Sequence, residues 1–393
     1  MKFKMDGRQF KTCMNRVVDI AKAAAVPDMA YIRIKAENNA VSFDAASVDC
    51  CGKVWVDAEV IEEGSACVSV NDIKRVYGMP DMLTISAVGN TLIVQNHKKR
   101  SQVAYKNLEE NAYFRAELSN LLFVTEGEAL ICALLRTDRA RATSDICVSQ
   151  RECMEGFHFN GTNRKIVATD GFRMHAVELD MRDEDNCLPY PFEKTVHGCI
   201  YGHLKKMMAG QASQVKVYDA EKFLVFRGED FDYRVCVYEC NYPKVLSIVP
   251  NDSEYSFQLS PQELLKIAKE YAVEKSEAMY FSCSESLITA MVNPDFRTSD
   301  LLESYQNAIG LLEERLLILN PVYVVHAMEA FDGNQIKVYG KYKMSNLGAN
   351  NQPIVFEADD LLALILPVIP KPDKLRSEKL FVESARNSIY NTR

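Results

Sequence analysis

Val167-Ala168-Thr169-Asp170-Gly171-Phe172-Arg173-Met174 is the stretch on which the reading of this chain turns. It begins as a β-rich strand, breaks at a polar Thr-Asp-Gly turn and resumes with an aromatic, a cation and a methionine. An Asp-Gly pair favours a tight turn, because the carboxylate bonds its own backbone and glycine tolerates a positive φ. Asp170 is therefore expected to close its turn, not to act as a catalytic carboxylate. Phe172, Arg173 and Met174 are expected to be exposed beside the small residues, as the lining of a surface pocket for a peptide.

Outward from this turn, helical segments alternate with runs of short strands. A helix is predicted over 7–24, with Phe10, Met14, Val17 and Ala21 at helical spacing. A second is predicted near 69–77, capped by Ser69 or Asn71. A third starts at Thr125, with Glu128 completing a capping box. A fourth spans 197–209. A fifth opens Ser260-Pro261-Gln262-Glu263 and a sixth Asn320-Pro321, each a cap followed by proline at the first helical position. The gap between paired helix starts is about 63, 71 and 61 residues in successive thirds, which reads as an internal repeat. Strand candidates between them include 30–36, 54–61, 83–86, 91–95, 102–105, 156–160, 215–219, 223–228, 279–284 and 336–339. Each third reads helix, strands, helix, strands. The fold class is therefore α+β: three repeated domains with helices on one face of antiparallel sheet.

With 393 residues, 48% of them hydrophobic and 25% charged, the chain has room for several domains of ordinary soluble composition. No apolar run reaches membrane-span length, and the first residues lack a signal-peptide core. The twelve cysteines are irregularly spaced, which favours reduced thiols in a cytoplasm over a disulfide framework. A net charge of −8 argues against nonspecific coating of nucleic acid but allows a locally basic channel. Every predicted helix but the last carries paired cations: Lys11, Arg16 and Lys22; Lys74 and Arg75; Arg136, Arg139 and Arg141; Lys205 and Lys206; Lys266 and Lys269. Each group alone reads as a solvated face, whereas their recurrence suggests a basic lining.

No phosphate-binding glycine loop and no Gly-x-Ser-x-Gly elbow is present, so an enzyme is not expected. The best metal candidates, Cys187, His197, Cys199 and His203, fit no standard zinc spacing, and structural roles are expected for them. Cys50-Cys51 and Cys236-x3-Cys240 read as strand or buried thiols. No histidine lies near Cys147 or Cys153 in sequence to activate either. No cofactor and no metal are assigned.

Three such units, with Val-Ala-Thr-Asp-Gly-Phe-Arg-Met in the middle one, resemble the bacterial sliding clamps, the β subunits of DNA polymerase III, whose signature is Ala-Thr-Asp-Gly-His-Arg-Leu. Asn241-Tyr242-Pro243 with Ile248-Val249-Pro250 is similar to the family's linker between its second and third domains, and Leu364-Ile365-Leu366-Pro367-Val368 to its terminal Val-Val-Met-Pro-Met. The resemblance covers about residues 1–370. It implies domains at 1–121, 122–250 and 251–370, followed by an extension at 371–393. It implies a non-catalytic processivity factor that closes head to tail as a homodimer around duplex DNA and tethers the polymerase. The ring needs only sequence-independent phosphate contacts, supplied by the basic helix residues above. The expected partners are duplex DNA, a second copy, and polymerase and clamp-loader subunits, in the cytoplasm at the nucleoid.

In the family, partners insert a short linear motif into a cleft between domains two and three. Its lining here would be Arg151, Met154, Thr169, Gly171, Phe172, Arg173, Met174, Pro243, Ile248, Asn320, Tyr323, Leu364, Leu366, Pro367 and Val368. Methionines suit a site that accepts several partners, and Pro243 and Pro367 would hold its edges extended. The dimer contact would use a strand of domain one, at Val103 and Tyr105. The sequence departs from the family at Phe172 in place of histidine, Lys244 and Ser247 in the linker, and Glu152 and Cys153 in a DNA-facing loop. The region Ala272–Glu277 is shorter than usual. These departures leave a second reading, a clamp-like scaffold that binds partners without being loaded on DNA. The tail from Lys371 to Arg393 is expected to shield or regulate the cleft.

Overall fold

The computed structural model describes residues 1–25, 30–73, 76, 78–109, 112–143, 152–182, 191–209, 214–273, 278–284, 287–291, 299–301, 306–309, 315–343 and 350–369. Lys74, Arg75, Cys147, Arg151, Cys187 and the segment 371–393 lie outside the described residues, as does most of Ala272–Glu277. The chain is α+β. Its helices are α1 (Gly7–Lys22), α2 (Gly127–Asp138), α3 (Ile200–Met207), α4 (Pro261–Val273) and α5 (Pro321–Met328). The strand pairings are antiparallel.

A strand followed within a few residues by a helix recurs along the chain. Lys2–Asp6 leads to α1, Leu121–Glu126 to α2, Glu193–Val196 to α3, Tyr255–Leu259 to α4 and Arg315–Leu319 to α5. The junctions are polar because helix N-termini carry unpaired N–H groups. Asp6 accepts from the backbone N–H of Arg8 and Gln9 at 2.8 and 3.1 Å, and Asn320 from that of Val322 at 2.9 Å. Ser260 Oγ accepts from Glu263 N at 3.4 Å, with Pro261 at the first helical position. The Thr125–Glu128 capping box does not form. Thr125 belongs to the strand, its buried hydroxyl has no partner, and α2 starts two residues later. Of the helix expected near 69–77, positions 74, 75 and 77 lie outside the described residues; Ser69 ends a strand, its hydroxyl accepts from Asn71 N at 3.3 Å, and Val76 N donates to Ile73 O at 3.0 Å.

By packing, the chain falls into two units. The first comprises Met1–Cys132, Phe159–Arg164 and Leu179–Cys240. Its main sheet has eight strands in the order 121–126, 214–220, 223–227, 231–236, 50–57, 40–46, 31–37, 64–69. Phe231 pairs with Val54 and Val235 with Cys50, so the first and second thirds of the chain share one sheet. Helices α1 and α3 pack on it and on each other. Phe10, Met14, Val17 and Ala21 form the buried stripe of α1, as their spacing predicts. Gly52 lies beneath both helices. A Cβ there would stand 2.6 Å from Ile20 Cδ1 and 3.1 Å from Met207 Cε, so a larger residue would make the ends of those two side chains shift.

The second unit comprises Ala133–His158, Lys165–Glu178 and Asn241–Arg393. Its strands run in the order 165–169, 173–178, 361–365, 354–358, 336–340, 255–259, 306–309. Here the middle and last thirds of the chain share a sheet, with α4 packed against α5.

Candidate functional site

The turn that opens the sequence reading is a hairpin joining strands Lys165–Thr169 and Arg173–Glu178, with Thr169 opposite Met174. Its polar groups are satisfied locally. Thr169 Oγ1 donates to Arg173 O at 2.6 Å and accepts from Gly171 N at 3.1 Å. Asp170 Oδ1 accepts from the N–H of Phe172 and Arg173 at 2.9 and 3.0 Å. Gly171 holds φ +91°, a conformation that suits glycine and few other residues. Asp170 thus closes its own turn and is buried, with no face for catalysis.

Exposure corrects the first expectation. Phe172 is 48% exposed, but Arg173 and Met174 are only 5% and 1% exposed. Arg173 turns inward because its charge is fully engaged there. Nε donates to Asp170 Oδ2 at 2.9 Å, a second nitrogen donates to His326 Nδ1, and the guanidinium lies 4.3 Å from the Tyr323 ring centre. The Asn320 cap and Pro321 fix the start of α5, which places Tyr323 and His326 three residues apart on one face. Burial, then the Arg173 charge, pushes the His326 pKa down to about 4. His326 is therefore neutral near pH 7 and can accept the arginine's proton donor. Met174 turns inward because it faces the core with Val167, Ala176, Tyr339, Val355, Leu362 and Leu364.

This hairpin is joined to the chain's last strand. Arg173 pairs with Ile365 and Met174 with Leu364. The contact continues past the strand: Leu366 N donates to Phe172 O at 2.8 Å, and Val368 N to Ile318 O at 2.9 Å. Leu366, Pro367 and Val368 are thereby held half-buried in line with the turn. The segment between Pro243 and Pro250 adds a short 3-10 helix, Val245–Ile248. Tyr242, Val245, Leu246 and Val249 pack onto the Met174–Leu364 core with Leu366, while Ile248 stays 45% exposed. Met154 is buried, and its methyl would lie 3.9 Å from a Cβ added at Gly171.

The structure thus brings most of the expected cleft residues into one unit, in two classes. Thr169, Arg173, Met174, Met154 and Leu364 are buried supports. Gly171, Phe172, Pro243, Ile248, Asn320, Tyr323, Leu366, Pro367 and Val368 keep accessible surface. Sequence reasoning missed Tyr242, Val245, Leu246, Val249 and His326. The apolar run between the two prolines was the available signal for Val245, Leu246 and Val249.

The basic set also divides. Arg16 is buried in a bidentate pair with Asp230 at 2.5 and 2.7 Å. Arg136 donates to Ala330 O at 2.8 Å and to Asp360 at 2.7 Å, and Arg141 to Asp138 and to Glu155 O. These three are internally paired, Arg16 buried and Arg136 and Arg141 half-buried. Lys11, Lys22, Arg139, Lys205, Lys206, Lys266 and Lys269 are exposed, although Lys22 and Lys206 meet Asp19 and Lys269 meets Glu329. Of the residues expected at the dimer contact, Val103 is 4% exposed, its side chain packed into the sheet on a strand paired opposite Leu92. Its strand, Arg100–Ala104, is nevertheless the last of a five-stranded sheet among the described residues, and Tyr105 beyond it is half-buried.

No family model matches the chain. The β sliding clamp of Lactococcus lactis subsp. lactis (strain IL1403) is 17% identical over 365 residues, spanning 86% of this chain and 92% of that protein. The crystal structure of the β subunit of DNA polymerase from Streptococcus pyogenes superposes with a TM-score of 0.78 at 16% identity, covering 94% of this chain and 100% of that one. The DNA polymerase sliding clamp of Pseudomonas aeruginosa gives the same score, identity and coverage. The fold of this chain is the sliding-clamp fold. No helix among the described residues is long and apolar enough to cross a membrane.

Proposed function

We propose that this chain is a DNA polymerase processivity factor, a non-catalytic sliding clamp of three domains at about 1–121, 122–250 and 251–370. Two copies joined head to tail would encircle duplex DNA in the cytoplasm, with exposed cations such as Lys11, Lys205 and Lys266 meeting phosphates. Polymerase and clamp-loader subunits would dock a short motif on the surface built from Phe172, Ile248, Tyr323, Leu366, Pro367 and Val368. The observation that carries this reading is the full-length match to clamps named for that role, 94% of this chain against 100% of theirs. The dimer would form by adding a strand to Arg100–Ala104, the last strand of its sheet among the described residues and so a position that favours such pairing.

The engagement of Arg16 and Arg136 in internal ion pairs, with a net charge of −8, favours a second reading, a scaffold that binds the same partners without loading onto DNA. Light scattering at micromolar concentration, then retention on closed circular DNA with release on linearisation, separates the two. A dimer retained only on circles supports the clamp. A persistent monomer that binds peptide but no circle supports the scaffold.

A further inference from the structure

We propose that Cys50, Cys199 and His203 form a zinc site closed by Tyr233, which clips the first third of the chain to the second. Cys50 begins strand Cys50–Asp57, Cys199 is the N-cap residue of α3, His203 lies one turn along that helix, and Tyr233 sits on strand Phe231–Cys236. The antiparallel pairing of Val235 with Cys50 and the packing of α3 on that sheet bring residues about 150 positions apart together.

The ligand atoms Cys50 Sγ, Cys199 Sγ and His203 Nδ1 all lie within 4.8 Å of one another. Cys50 Sγ is 3.4 Å from His203 Nδ1. Tetrahedral zinc, with Zn–S and Zn–N bonds of about 2.3 and 2.0 Å, sets a sulfur–nitrogen edge of about 3.5 Å. Tyr233 Oη is 3.2 Å from Nδ1 and 3.7 Å from Cys199 Sγ, so a fourth polar atom completes the cluster. Tyr233 is fully buried, Cys50 is buried and His203 nearly so, while Cys199 is half-buried and leaves an entry path.

Two thiols and an imidazole are a borderline-soft donor set that favours Zn2+ over Mg2+ or Ca2+. Zn2+ entering would release the thiol protons to solvent and leave two thiolates, one neutral imidazole and no net charge.

The test uses the full-length chain, reduced and stripped of metal, then equilibrated with Zn2+ against a competing chelator and assayed by elemental analysis. The expected result is about one Zn2+ per chain, lost in the Cys50→Ser/Cys199→Ser variant and retained in Cys236→Ser. Tyr233→Phe, which keeps the ring, should bind roughly 10–100-fold more weakly. Co2+ in place of Zn2+ should give tetrahedral thiolate absorption in the native chain. Circular dichroism of each variant guards against loss of fold, and Tyr233→Phe with the Co2+ spectrum remains decisive if the double variant does not fold. Negligible metal in the native chain, equal metal in the folded double variant, or a Cys50–Cys199 disulfide that persists under reductant with Zn2+ present would overturn the site.

Discussion

Arg173 donates Nε to Asp170 Oδ2 at 2.9 Å, with 5% of the arginine side chain and none of the aspartate side chain open to solvent. The pair is the fastener of the Thr-Asp-Gly turn, because the same carboxylate also holds the N–H groups of Phe172 and Arg173. Breaking a buried pair from one side strands the other charge, which typically costs about 3–5 kcal/mol. Asp170→Ala should lose that much in urea unfolding, and Asp170→Asn less, because the amide oxygen can still accept from the backbone. An Asp170→Ala chain as stable as the native one would mean that the turn does not depend on this pair.

Burial separates support from contact at the docking surface. Phe172 and Ile248 are the exposed apolar side chains beside a core that contains Met174 and Leu364. Phe172→Ala and Ile248→Ala should each weaken a polymerase-derived peptide by about 1–3 kcal/mol in calorimetry, with little change in stability. Met174→Ala should instead cost about 2–5 kcal/mol of stability through the cavity it leaves. Stronger loss of peptide from Met174→Ala than from Phe172→Ala, in a chain of unchanged stability, would invert this assignment.

Much of the fold was legible in local signals. The apolar stripe of α1 and the caps at Ser260 and Asn320 carry their own instructions, and the Asp-Gly turn forms as its chemistry requires. What sequence could not show was direction across space. Arg173 and Met174 look exposed beside a turn, but their fate depends on Tyr323, His326 and Leu364, well over a hundred residues away. Likewise, Arg16 and Arg136 read as surface cations until Asp230 and Asp360 meet them. Nearness in sequence likewise grouped Cys199 and His203 with Cys187 and His197, whereas the sheet delivers Cys50.

His175 gives the second unit a pH-dependent stability. It is fully buried, its Nδ1 lies 2.8 Å from Arg136 O, and its Nε2 has no partner. Burial pushes its pKa from 6.5 down to about 4. Below pH 6.5 the unfolded chain takes up a proton that the folded chain refuses, so stability is full above that pH and drains as pH falls towards 4. At 1.36 kcal/mol per tenfold, the difference is roughly 3 kcal/mol. His326, also pushed down to about 4, acts in the same direction. Urea midpoints measured from pH 7.5 to 4.5 should fall, and His175→Gln should flatten that slope. An unchanged slope in the variant would assign the acid sensitivity to other groups.

The exposed and the internal cations can be told apart on DNA by salt. Lys11 and Lys266 project from α1 and α4, exposed and with no ion-pair partner among the described residues. A lysine that neutralises one phosphate contributes about 0.9 to the slope of log affinity against log salt. Lys11→Ala and Lys266→Ala should therefore each lower that slope by nearly one in fluorescence anisotropy on duplex DNA, at unchanged stability. Arg136→Ala should leave the slope alone and cost about 1–3 kcal/mol of stability, because it frees Ala330 O and Asp360 from their donor. If instead Arg136→Ala lowers the slope while the two lysine variants do not, the basic face lies elsewhere and the helices named here do not line the DNA.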